Sequence, residues 1–114
     1  MLFLRRKTAL VCGISMKPLL DDGDIVFYKN FRNKSCISID NIIIFNHPTK
    51  NIKLIKKITA IKGHGVEVSG ENINFSDDSN FFGLINIDSI IGIVTSRIPK
   101  KSINQIKTIF NLKK

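Results

Sequence analysis

The stretch "NIKLIKKITAI" at residues 51–61 constrains the fold more than any other part of the chain. If residues 52–61 form one strand, side chains alternate between its faces. Ile52, Leu54, Lys56, Ile58 and Ala60 then share one face, and Lys53, Ile55, Lys57, Thr59 and Ile61 share the other. Lys56 falls in an otherwise apolar row. Taking an ammonium out of water disfavours its charged form and lowers its pKa, so a lysine placed there can serve as a base near neutral pH. The bland reading is a lysine snorkelling from a strand edge, and Lys53, Lys57 and Lys62 are rival bases.

The rest of the chain also reads as short strands divided by polar turns. Candidate strands are 8–13, 24–29, 41–46, 52–61, 65–68, 72–75 and 90–97, and "KNFRNKSC", "HPTKN" and "FSDDSN" are loops. Residues 102–112 space Ile103, Ile106, Ile109 and Phe110 at helical intervals, which predicts a short basic amphipathic helix with Ser102 as its N-cap. The expectation is one mainly β domain over residues 1–114, shaped as a partly open barrel with a C-terminal helix. A chain of 114 residues, 43% of them hydrophobic and only 3 of them proline, suits a single packed core.

The formal charge of +9 directs attention to anionic partners: nucleic acid, an acidic protein or a membrane surface. After Asp88 there is no acid, while Arg97, Lys100, Lys101, Lys107, Lys113 and Lys114 accumulate. Two cysteines, Cys12 and Cys36, are too few for a zinc site, and His47 and His64 read as loop histidines, so no metal or other cofactor is expected. The N-terminal apolar runs are too short for a signal peptide, and no stretch reaches the roughly 20 apolar residues of a membrane span. The expectation is a cytoplasmic protein, with contact between its basic helix and a negatively charged membrane left open.

Near the N-terminus, "GISMKPLLDDGD" places Ser15 after an apolar run and before a glycine-and-acid turn. In isolation it reads as a turn serine. A serine hydroxyl becomes a nucleophile only when something takes its proton, and Lys56 has the environment for that role.

These segments together resemble the type I signal peptidases, whose sequence boxes occur here in the same order. "GISMKPLLDDGD" resembles the nucleophile box, "IDNIIIFNHP" the box that follows it, "IKKITAIKGHG" the lysine box and "GENINFSDDSNFFG" the last box. The resemblance implies a signal-peptidase or SOS-repressor-like catalytic β fold and a serine endopeptidase with Ser15 as nucleophile and Lys56 as general base. It implies that Ser15 contributes its own N–H to the oxyanion hole, that Ser76 orients the lysine, and that Asp78 and Ser79 are the structural pair of the last box. Lys57 takes the place of the second basic residue. Gly13 stands where many relatives carry the serine that completes the oxyanion hole, and Cys12 and Met16 flank the nucleophile as substrate-binding candidates. Asn80, Glu71, Lys62 and His64 depart from the usual residues of their boxes.

Within that family the short chain is most similar to the maturation proteases of nickel-type superoxide dismutase. This resemblance implies removal of an N-terminal leader from a precursor protein, the dismutase precursor, whose nickel would belong to the substrate. Signal peptidase processing of secreted preproteins is the alternative. A non-catalytic basic β module binding nucleic acid would need exposed aromatic side chains. Phe27, Phe45 and Phe75 sit in or beside apolar strands instead, so no nucleic acid partner is expected. A self-cleaving repressor would need a scissile segment well upstream, and Cys12 and Gly13 are too close to Ser15 to fold back as one.

Overall fold

The computed structural model describes residues 6–13, 16–33, 36–71 and 84–102. Its strands are β1 (Arg6–Leu10), β2 (Ile25–Asn30), β3 (Ile42–Asn46), β4 (Lys53–Lys62), β5 (Gly65–Ser69), β6 (Ile85–Asn86) and β7 (Ile90–Ile98). They form one seven-stranded sheet in the order β1-β2-β7-β3-β4-β5-β6. Every neighbouring pair is antiparallel, and β1 and β6 are left as its edges. The mainly β, incompletely closed domain is therefore the one expected. The strand expected at 72–75 and residues 103–112 of the expected helix lie outside the described residues.

The centre of the sheet explains why "IIIF" in β3 shows no polar alternation. Ile43 and Phe45 belong to a large apolar cluster with Ile58, Val66, Val68 and Ile93. Ile44 points the other way, into a smaller cluster with Val11, Met16, Leu20 and Val26. A strand covered on both faces needs apolar side chains at consecutive positions. Phe45 is fully buried, whereas Phe27 is half-buried.

In β4 the expected parity holds through Ile58 and then slips. Ile58 lies opposite Val68 but Ala60 lies opposite Glu67, so Thr59 is an extra residue in the ladder. The bulge turns Ile61, rather than Ala60, toward the large cluster, where it packs across from Val66. A second correction concerns the helix start. Residues 100–102 are already helical, following Pro99, so Ser102 is within the first turn and is not its N-cap. Its N–H bonds the Pro99 carbonyl at 3.0 Å. The two-residue strand β6 and the 3-10 turn at Ile87–Ser89 were not expected. Such short elements contain too few residues to display a period.

Between β1 and β2 the chain makes the long turn that carries Ser15. Its base is closed by the Val11 N–H to the Asp24 carbonyl and the Gly23 N–H to the Val11 carbonyl, both at 2.8 Å. Gly23 has φ of +91°, a conformation that favours glycine, and the Lys100 side chain lies 2.7 Å from where a Cβ would sit. Next to it Asp24 is only 1% exposed. Its carboxylate accepts from the Asp21 N–H at 2.9 Å, the Lys100 N–H at 2.9 Å and the Arg97 guanidinium at 3.2 Å. Arg97 also donates to the Leu19 carbonyl. One buried carboxylate thus ties the turn to the end of β7 and to the start of the C-terminal helix.

Burial by itself would raise the pKa of Asp24, but the N–H groups of Asp21 and Lys100 and the charge of Arg97 outweigh it and lower the value. A carboxylate with a lowered folded pKa adds stability above its unfolded pKa, and that stability is lost as pH falls through the folded value. Asp24→Ala should cost about 2–3 kcal/mol in urea unfolding at neutral pH, because it leaves buried N–H groups unsatisfied. The difference from wild type should shrink as pH drops below about 4. A pH-independent difference would show that the charge of Asp24 is not what stabilises the turn.

Candidate active site

Strands β1 and β4 are separated in the sheet by β2, β7 and β3. In a flat sheet they would stand roughly 19 Å apart. Instead they line one cavity of about 310 Å³, so the sheet is curled. Ala9, Leu10, Val11 and Cys12 form one wall, and Lys53, Leu54, Ile55 and Lys56 form the opposite wall. Val26, Tyr28 and Ile44 lie between them.

Both walls present strand edges that are unpaired among the described residues. β1 pairs only with β2, and its bonded neighbour at Val11 implies that Ala9 also faces β2. Alternation then turns the N–H and C=O groups of Thr8 and Leu10 outward. On the far side β5 begins its pairing at Lys57 and leaves 53–56 uncovered. The Ile58 N–H bonds the Asn41 carbonyl in the β3 direction, so Lys53 and Ile55 point their backbone groups the other way. An extended peptide between these edges could be bonded from both sides as an added strand.

The structure brings two of the expected site residues, Lys56 and Cys12, to this cleft. Lys56 lines it and is 2% exposed, standing opposite Ile43 of β3 and sharing a strand face with Leu54 and Ile58. Cys12, three residues before Ser15, lines the opposite wall and is exposed. Met16 is 1% exposed within the smaller core cluster and is not part of the lining, so it anchors the turn from below. Ser15 itself, Ser76, Asp78 and Ser79 lie outside the described residues. The chain on each side of Ser15 is placed, by Gly13 and by Met16.

Gly13 has φ of +98°, and its N–H bonds the Asp22 carboxylate at 2.7 Å. That N–H is therefore engaged within the turn. Asp22 and Asp24 are the site-supporting residues that sequence reasoning did not single out; the signal was "DDGD", read only as a turn. Arg97 was likewise counted only as part of the basic tail.

Directly after Lys56, Lys57 pairs with Glu71 at 2.5 Å and with Asp40 at 3.9 Å. The hydrogen bond that Lys57 donates to Glu71 raises the pKa of Lys57, against a smaller opposing effect of desolvation, and the charges of Glu71 and Asp40 add to the rise. This pair fastens the beginning of the "GENINFSDDSN" segment to β4 beside Lys56. The histidines have local roles. His47 accepts through Nδ1 from the N–H groups of Thr49 and Lys50, both at 3.0 Å, and His64 lies 3.2 Å from Asp88. Among the described residues no group of three His, Cys, Asp or Glu side chains is placed to hold a metal ion. No helix among them is long and apolar enough to cross a membrane.

Comparison with known families finds that residues 2–74 match the family model described as signal peptidase, peptidase S26. That span contains both cleft walls. No curated protein matches the chain.

The cleft makes a direct prediction about the two exposed thiols. A peptide seated between β1 and β4 covers Cys12 and leaves Cys36 open. Maleimide labelling read by mass spectrometry should therefore slow several-fold at Cys12 alone when a cleft-binding peptide is added. Equal slowing at both thiols, or none at either, would remove this cleft as the peptide's seat.

Proposed function

The chain belongs to the signal peptidase family, and from that premise we propose that it is a serine endopeptidase whose nucleophile is Ser15 and whose general base is Lys56. The observation that carries this reading is the buried Lys56 on one wall of a peptide-sized cleft whose other wall runs toward Ser15. Burial of a lysine disfavours its charged form and makes the neutral amine accessible.

In the proposed reaction neutral Lys56 takes the proton from the Ser15 hydroxyl as its oxygen bonds to the scissile carbonyl carbon. The Ser15 N–H stabilises the oxyanion. As the carbon–nitrogen bond breaks, Lys56 returns the proton to the departing amine and leaves an acyl-enzyme. Water, deprotonated by Lys56, then hydrolyses the ester. Ser76 would orient Lys56, and Asp78 would support the loop that holds Ser76. The substrate lies extended along β1 with small side chains before the scissile bond, paired to the outward groups of Thr8 and Leu10.

The substrate is a precursor protein that loses an N-terminal leader. We take the nickel superoxide dismutase precursor as the first candidate, on the resemblance of "FNHP" and "FSDDSN" to the corresponding boxes of its maturation proteases. Incubation with that precursor, read by mass spectrometry of the new N-terminus, tests the assignment; cleavage of a secretory preprotein in its place would redirect it. Ser15→Ala and Lys56→Met should each lower cleavage by at least about 1,000-fold while the fold survives. Activity in wild type should rise with pH as Lys56 loses its proton. Cleavage retained in Lys56→Met would move the base to another lysine or to a histidine.

A further inference from the structure

Strand β4 carries lysines at 53, 56, 57 and 62, and three of them are accounted for inside the molecule. Lys56 is buried, Lys57 is paired with Glu71 and Asp40, and Lys62 is paired with Glu67 at 2.8 Å. Lys53 differs from all three. It is exposed, it lines the cleft, and among the described residues no carboxylate lies within ion-pair distance of it. By alternation its side chain shares a strand face with Ile55, which packs on the smaller cluster beneath the cleft.

A second lysine stands at the same end. Lys7 shares the cleft-facing side of β1 with Ala9, is exposed, and also has no ion pair among the described residues. Successive antiparallel pairings from β1 through β2, β7 and β3 make β1 and β4 run in the same direction. Lys7 and Lys53 therefore mark the starting ends of the two walls, and Cys12 and Lys56 lie further along. No carboxylate lines the cleft among the described residues. The result is an apolar trough with a cationic end.

We propose that this end selects substrates: the peptide that occupies the cleft carries a carboxylate side chain about four to six residues before the bond to be cut, held by Lys53 and Lys7. Three residues of strand from Lys56 to Lys53 span about 10 Å, and five from Cys12 to Lys7 span about 17 Å, which sets that spacing. The inference rests on the reading of Ser15 and Lys56 as the cutting pair. Two strand edges that pair with no further strand among the described residues favour an extended peptide as the occupant over an anionic lipid surface, which would use neither edge.

The test uses fluorescein-labelled peptides that are identical except for Glu, Gln or Lys at the fifth residue before the cleavage point. Anisotropy with Ser15→Ala chain, which leaves the peptides intact, should rank Glu over Gln over Lys, with about three- to five-fold between the extremes at low salt. The ranking should contract as salt is added, reverse in Lys53→Glu and flatten in Lys53→Gln. Equal affinity for the three peptides, or a ranking unchanged by Lys53→Glu, would overturn the proposal. So would Lys53-dependent binding to phosphatidylserine vesicles with no discrimination among the peptides. Cleavage by the wild-type chain separates the two readings. Peptides ranked as expected but left uncut would reject the cutting pair and keep the acidic preference, and peptides cut with equal efficiency would do the reverse.

Discussion

A carboxylate taken almost wholly out of water holds the turn between β1 and β2 to the rest of the molecule. Asp24 carries charge in a position where burial alone would expel it, and it stays ionised because two backbone N–H groups and a guanidinium converge on it. Through Arg97 and Lys100 the turn is fastened to β7, a central strand, and to the helix that follows. A turn of this length between an edge strand and its neighbour has little core of its own. Its geometry is imposed by that carboxylate, by Met16 and Leu20 beneath it, and by the bond from Gly13 to Asp22.

The second constraint is the way the core is divided. β3 buries side chains on both faces, so the sheet has apolar clusters on both sides and curls to cover them. Curling brings β1 toward the beginning of β4, two strands that never pair, and leaves a slot between their edges. A slot bounded by strand edges that pair with no further strand among the described residues is suited to an extended chain, which binds through its backbone at any sequence and is discriminated only by its side chains. Lys56, Cys12 and Lys53 line that slot, at positions set by packing elsewhere.

Much of this was legible in the residues. The alternation around Lys56 identified the one lysine of β4 that is buried, because period-two patterning survives wherever one face packs on a core. The ordered boxes identified the family and the segment around Ser15. Other features were not legible. The bulge at Thr59 leaves no mark in an apolar run that reads equally well in either register. Ser102 looked like an N-cap because the helical spacing began there, whereas the backbone had already turned after Pro99. "DDGD" announced a turn, but nothing local distinguished Asp24, which is buried, from Asp21 and Asp22, which are exposed.

The sequence by itself determined the β class, the family and the residue types capable of serine and lysine chemistry, since these depend on local periodicity and on short ordered motifs. Only the tertiary structure decided that the edges of β1 and β4 face one another, that Asp24 is the anchor of the turn, and that Lys53 is left facing the cleft without an acid among the described residues while Lys57 and Lys62 have theirs. Each of these depends on which distant segments meet. Arg97 and Lys100 lie more than seventy residues from Asp24 along the chain. Pairings over that range follow from how the sheet curls, which no local pattern records.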